Sequence, residues 1–213
     1  MLRIPFLDSL FSWLKLPLTP GQPPSPGPAQ QINPAQQSPT PTHQHAAIAW
    51  GAHVSAAFRR KVIAIAGRLA MDPNHLMAIM AFETGRSFDP SETNDAGSGA
   101  TGLIQFMPAT ARALGTSTAN LARMNAIDQL DYVEAYLAPY AGRMKDLPSA
   151  YMAVLYPRAV DKAPGYVLFR KGSKAYKLNR GLDLNGDGQV TKAEAAAKVA
   201  ALLAEGLRPG LIG

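Results

Sequence analysis

Nine of the chain's 18 prolines fall between Pro17 and Pro41, set among Gln, Ser, Thr and Gly. A stretch of this kind cannot hold a helix, because each proline removes a backbone donor and clashes with the preceding turn. Nor can it bury enough apolar surface to offset the entropy of ordering it. It favours extended polyproline II and reads as a disordered tether. The folded body must be built from the residues C-terminal to it. The 213-residue chain therefore divides into a segment 1–18, a linker 19–45, a helical body 46–165 and an extension 166–213.

Composition narrows the classes further. Hydrophobic residues make up 47% of the chain, enough for a packed core. The absence of cysteine excludes a disulfide scaffold, a zinc finger and thiol catalysis. No run of apolar residues is long enough to span a bilayer. The net charge of +6 is unevenly placed: 166–213 holds eight basic and four acidic residues. Arg170, Lys171, Lys174, Lys177 and Arg180 have no acid among them, which suits either a solvated surface or a polyanion such as lipid headgroups or an acidic wall polymer. Nucleic acid is the weakest of these partners.

Before the tether, Ile4, Leu7, Phe11, Leu14 and Leu18 recur at three-and-four spacing, with Arg3, Asp8 and Lys15 opposite. The pattern predicts a short amphipathic helix that docks on a membrane, on a virion or other protein, or on the chain's own core. Asp8 and Lys15 interrupt the apolar run that a secretory signal needs. His43 and His45 close the linker without a third metal ligand nearby.

After residue 46 the pattern becomes helical. Val54, Phe58, Val62, Ile65 and Leu69 outline one helix. Asp72-Pro73 supplies a cap and an N1 proline for a second, which runs through Leu76, Ile79 and Met80 to Glu83. Pro108-Ala109-Thr110 opens another, and 126–138 and 148–155 read as further helices. The best extended piece is Tyr166 to Phe169. Glu83 stands among Leu76, Ile79, Met80, Ala81 and Phe82, so burial should raise its pKa and leave it protonated near neutral pH. A protonated carboxyl beside a sugar-binding groove can act as a general acid on a glycosidic oxygen.

Ala81-Phe82-Glu83-Thr84-Gly85, followed by Gly99-Ala100-Thr101-Gly102-Leu103-Ile104-Gln105-Phe106-Met107-Pro108-Ala109-Thr110-Ala111, resembles the soluble lytic transglycosylase family. The resemblance implies a mainly α fold: a lysozyme-like helical domain with a polysaccharide cleft between two lobes and Glu83 at its mouth. It also implies that Glu83 is the single catalytic acid and base, cleaving the bond between N-acetylmuramic acid and N-acetylglucosamine in peptidoglycan strands. Thr84, Ser98, Gly102, Ile104, Gln105 and Phe106 would then contact substrate. Ala150-Tyr151-Met152-Ala153-Val154 keeps the tyrosine of a third family block but not its asparagine and glycine, and Tyr151 would orient Glu83 or face the cleft. Thr84 replaces the family's serine, and Ala96 stands where another serine is usual.

Glu83 lies further from the glutamine block than in typical members, an interval similar to that of goose-type lysozymes. There Asp95 could activate water and make the reaction a hydrolysis. A non-catalytic wall-binding or virion module is a further alternative, favoured by the altered tyrosine block. A tethered enzyme of this kind suits a phage lysin or virion component acting in the host periplasm, or a bacterial periplasmic or secreted enzyme.

The extension carries its own pattern. Asp183-Leu184-Asn185-Gly186-Asp187-Gly188-Gln189-Val190-Thr191-Lys192-Ala193-Glu194 fits the twelve-residue EF-hand-like calcium loop. Asp183, Asn185, Asp187, the Gln189 carbonyl and Glu194 would ligate a structural Ca2+, with Thr191 direct or through water. Asn179, Arg180 and Gly181 weaken the helix expected before the loop.

Overall fold

Ser55 begins the first helix: its side chain accepts from the Phe58 N–H, and α1 runs over Ala56–Leu69. The computed structural model describes residues 47–93 and 98–213. The amphipathic segment 1–18, the tether, His43, His45, Asp95 and Ala96 therefore lie outside the described residues. In α1, Phe58, Val62, Ile65 and Leu69 are buried as the spacing predicts, while Val54 precedes the helix and is half-buried.

Asp72 caps α2 (Pro73–Glu83), accepting from the Asn74 N–H at 2.8 Å, and Pro73 occupies the first turn, where its missing N–H leaves no intrahelical bond unmade. Every residue from Leu76 to Ala81 is buried, so α2 is apolar all round and runs through the core rather than over it. It is enclosed by α1, by α6 (Leu147–Leu155) and by α8 (Lys192–Gly206). Between them, α3 (Pro108–Ala113), α4 (Thr118–Arg123) and α5 (Ala126–Leu137) follow the glycine-rich loop, with α5 packed on α1. No described helix is long and apolar enough to cross a membrane.

The extension packs as part of this body. β1 (Val167–Arg170) pairs antiparallel with β2 (Gln189–Thr191), Phe169 opposite Val190. Between the strands lie the short helix α7 (Lys174–Asn179) and a 3-10 turn over Arg180–Leu182, in place of the full helix that would precede a regular calcium loop. Thr191 and Glu194 form a reciprocal capping box that starts α8. Lys192 is buried at 3% exposure, and its ammonium donates to Ser149 Oγ at 3.0 Å and to the carbonyls of Val160 and Lys162 at 2.8 Å each. Burial lowers its pKa, and the three acceptors use all three donors of the ammonium. This tie joins the start of α8 to α6.

A strap closes the other end of α8. Ile48 and Gly213 exchange backbone hydrogen bonds, the Trp50 N–H donates to the Gly206 carbonyl, and the Trp50 indole N–H donates to Leu202 O at 2.9 Å. A Cβ at Gly206 would stand 2.3 Å from the indole ring, so only glycine allows the fully buried Trp50 this close.

Candidate active site

Glu83 is the last residue of α2 and is 7% exposed. Both carboxylate oxygens are buried and have no hydrogen-bond partner among the described residues. Burial, with no compensating cation, pushes its pKa from 4.5 up to about 8. The carboxyl therefore holds its proton at neutral pH, as a general acid must.

The turn after it is held tightly. The Thr84 hydroxyl donates to Met80 O at 2.7 Å and accepts from the Phe88 N–H at 3.0 Å, so the hydroxyl expected to meet substrate is engaged by backbone on both sides. Arg86 and Phe88 have φ of 75° and 52°, left-handed values that bulky L-residues seldom adopt. Their surroundings enforce them: the Arg86 N–H donates to Ala81 O at 2.7 Å, and its guanidinium bridges Glu205 at 2.7 Å while lying over the Trp50 ring. Concentrated backbone strain beside a buried acid is characteristic of functional sites.

The glycine-rich block forms a compact turn. Thr101 and Phe106 exchange backbone hydrogen bonds at 3.1 and 2.8 Å, and the Gly102 N–H donates to Glu92 O at 2.8 Å. Gln105, 4% exposed and at φ 52°, directs its amide donor to Glu92 O and Gly102 O, both at 3.1 Å. Its side chain thus supports the wall from within. Ile104 and Phe106 are buried, and Ser98 is half-buried with its hydroxyl accepting from the Ala100 N–H.

Tyr151, on α6, is fully buried, and its ring meets Phe82 edge-on with centroids 5.6 Å apart. Its hydroxyl is buried without a hydrogen-bond partner among the described residues, and burial together with the nearby Glu83 holds its pKa well above the ordinary phenol value. Tyr136, on α5, donates to Ala153 O at 3.0 Å, packs edge-on against Phe106, and likewise has its pKa raised by burial, by Tyr140 and by Glu83. The structure thus brings Glu83, Tyr151 and Tyr136 together. Tyr136 carries no motif, and only its place on the buried side of α5 signalled it.

The resemblance implies an acid at the mouth of a groove, and the apolar neighbours of Glu83 imply its burial; here neither Glu83 oxygen reaches solvent. A surface hollow of about 430 Å³ lies elsewhere, lined by His53, Phe58, Phe88, Asn125 and Ile127, and it touches neither Glu83 nor Tyr151. Glu83 remains the candidate site residue because its carboxyl is buried, without a hydrogen-bond partner among the described residues, and raised in pKa.

In the extension, Asp183 accepts from the Gly186 and Gly188 N–H groups and from the Tyr176 hydroxyl. Asn185 accepts from the Asp187 N–H, and Asp187 from the Gln189 N–H. Glu194 reaches back across the loop: one oxygen accepts from the Leu184 N–H at 3.3 Å, the other from the Thr191 N–H and hydroxyl. The donor set is all oxygen, the chemistry of calcium rather than of zinc. Among the described residues no three His, Cys, Asp or Glu side chains are gathered into a metal-binding group.

The described residues form a mainly helical body around the buried Glu83 carboxyl, consistent with a lysozyme-like domain. Residues 61–154 match the family model described as the Transglycosylase SLT domain, a stretch that contains Glu83, the 101–106 turn, Tyr136 and Tyr151. Members of that family are lytic transglycosylases, so at the family level the match supports an enzyme that cleaves glycosidic bonds in peptidoglycan. No curated protein and no solved structure matches the chain.

Proposed function

We propose that the chain is a lytic transglycosylase that cleaves the β-1,4 bond between N-acetylmuramic acid and N-acetylglucosamine, with Glu83 as its single acid and base. The observation that carries this reading is the neutral, desolvated carboxyl at the end of α2. Glu83 gives its proton to the bridging oxygen as the bond from the muramyl C1 breaks. The 2-acetamido oxygen of the same sugar supports the cationic C1. The Glu83 carboxylate then removes the proton from the sugar's own 6-hydroxyl, whose oxygen closes on C1. The acid is regenerated and no water is consumed.

Because the carboxyl is covered here, the groove must open to admit a glycan strand. Once the strand is bound, exclusion of water strengthens the proton transfer and suppresses hydrolysis of the intermediate. The Tyr151 hydroxyl, without a hydrogen-bond partner among the described residues, is available to orient Glu83 or the incoming sugar. Muropeptides released from purified wall test the proposal. Anhydromuramyl ends are the expected product. Reducing ends alone would instead fit the hydrolytic reading with Asp95, and no release at all would fit a binding module.

The second part of the proposal concerns Asp183–Glu194 as a structural calcium loop, supported by the oxygen donors and by the Gly186 turn at φ 74°. Holding this loop closed anchors the start of α8, so calcium should raise the melting temperature by several degrees and EDTA should reverse the rise. Identical unfolding curves in millimolar calcium and in EDTA would remove calcium from the account. The phage or periplasmic setting belongs to the same proposal. It draws on residues 1–45, outside the described residues.

A further inference from the structure

Under the Gly102–Gln105 turn lies a side chain that belongs to none of the sequence blocks. Gln129, in the first part of α5, is completely buried. Its Oε1 accepts from the Leu103 N–H at 2.7 Å, and its Nε2 donates to Pro90 O and to Leu121 O, both at 2.9 Å. One amide thus joins three segments: the stretch that follows Glu83, the turn opposite, and α4. The fit is close. A Cβ on Gly102 would stand 2.3 Å from Oε1 and 2.6 Å from Nε2, so the amide occupies the space that any other residue at 102 would need.

An apolar residue could fill this volume, but it could not fix direction. Hydrogen bonds weaken steeply away from their preferred line, so three of them from one planar group set the turn's position as well as its distance. The bonds inside the turn, between Thr101 and Phe106, hold its shape without tying it to α4 or α5. Two helical turns further along the same face, α5 carries Tyr136, which packs on Phe106 and lies within the electrostatic reach of Glu83. The helix that pins the turn therefore also contributes to the surroundings of the acid.

We infer that Gln129 is a positioning residue: it sets the spacing between the Gly102–Gln105 wall and Glu83, and with it the fit of the glycan strand. This inference rests on the transglycosylase reading. Gln129→Met keeps the length of the side chain and removes all three hydrogen bonds. Its KM on soluble glycan strands should rise about tenfold or more, while kcat stays within about threefold of wild type. Gln129→Glu, when neutral, keeps an acceptor for Leu103 and one donor for a carbonyl. Relative to wild type at each pH, it should recover much of the lost affinity in acid and lose it again as the new carboxyl ionises. A residue that only fills space would show no such recovery.

If Gln129→Met fails to fold, Gln129→Glu decides alone: recovery in acid supports the inference, and its absence overturns it. An active wild type whose KM is unchanged by Gln129→Met also overturns it. A wild type that releases no muropeptide sinks the enzymatic reading itself, and the inference with it, a pattern distinct from the other two.

Discussion

Glu83→Gln should lower muropeptide release by roughly a thousandfold while leaving the protein folded, because it removes the proposed acid and keeps the shape of the side chain. Wild-type activity should also report the acid's titration. A carboxyl whose pKa is raised to about 8 remains protonated through neutrality, so the alkaline limb of kcat/KM should fall as pH rises through about 8. Product analysis across the pH range, with Glu83→Gln as the reference, checks both. Residual activity in the variant near the wild-type level would remove Glu83 from the mechanism.

The second large effect appears in stability. The Glu83 carboxyl binds its proton more tightly in the folded chain, at about 8, than at its ordinary value of 4.5. Between those values the native state holds more protons than the unfolded one, so stability falls as pH rises from about 4.5 to about 8 and stays reduced above that. The loss is on the order of a few kcal/mol, from roughly 1.4 kcal/mol per pKa unit. Glu83→Gln has no proton to lose. Its melting temperature relative to wild type should therefore climb between about pH 4.5 and about pH 8 by on the order of 10 °C, at a few degrees per kcal/mol for a chain of this size. Parallel curves for the two proteins across that range would mean that the acid is solvated in solution.

Local chemistry made much of this fold legible in the sequence. The apolar stripe of α1 and the Asp72-Pro73 start of α2 are each decided by neighbours within one helical turn, whereas the Thr191–Glu194 cap lies where the sequence pattern suggests calcium ligands. The burial of Glu83 was legible as well, because it ends a run, Leu76 to Ala81, that is apolar on every side. What the sequence hid is long-range. Periodicity states that a face is buried without saying against what, so the enclosure of α2 by α8 gave no signal. Gln129 was invisible for the same reason: its three partners lie 8, 26 and 39 residues away. Thr84 and Gln105, which the resemblance places at the substrate or in its supporting wall, also bond backbone: the Thr84 hydroxyl donates to Met80 O, and the Gln105 amide donates to Glu92 O and Gly102 O.

The enclosure of α2 by α8 also sets an order of events during synthesis. The helix that presents Glu83 leaves the ribosome well before residues 192–206, yet those residues make one of its walls. Until α8 emerges, α2 lacks part of its casing and its apolar surface stays wet. A nascent chain that already contains the whole family-matched stretch thus still lacks one wall around the helix that carries Glu83.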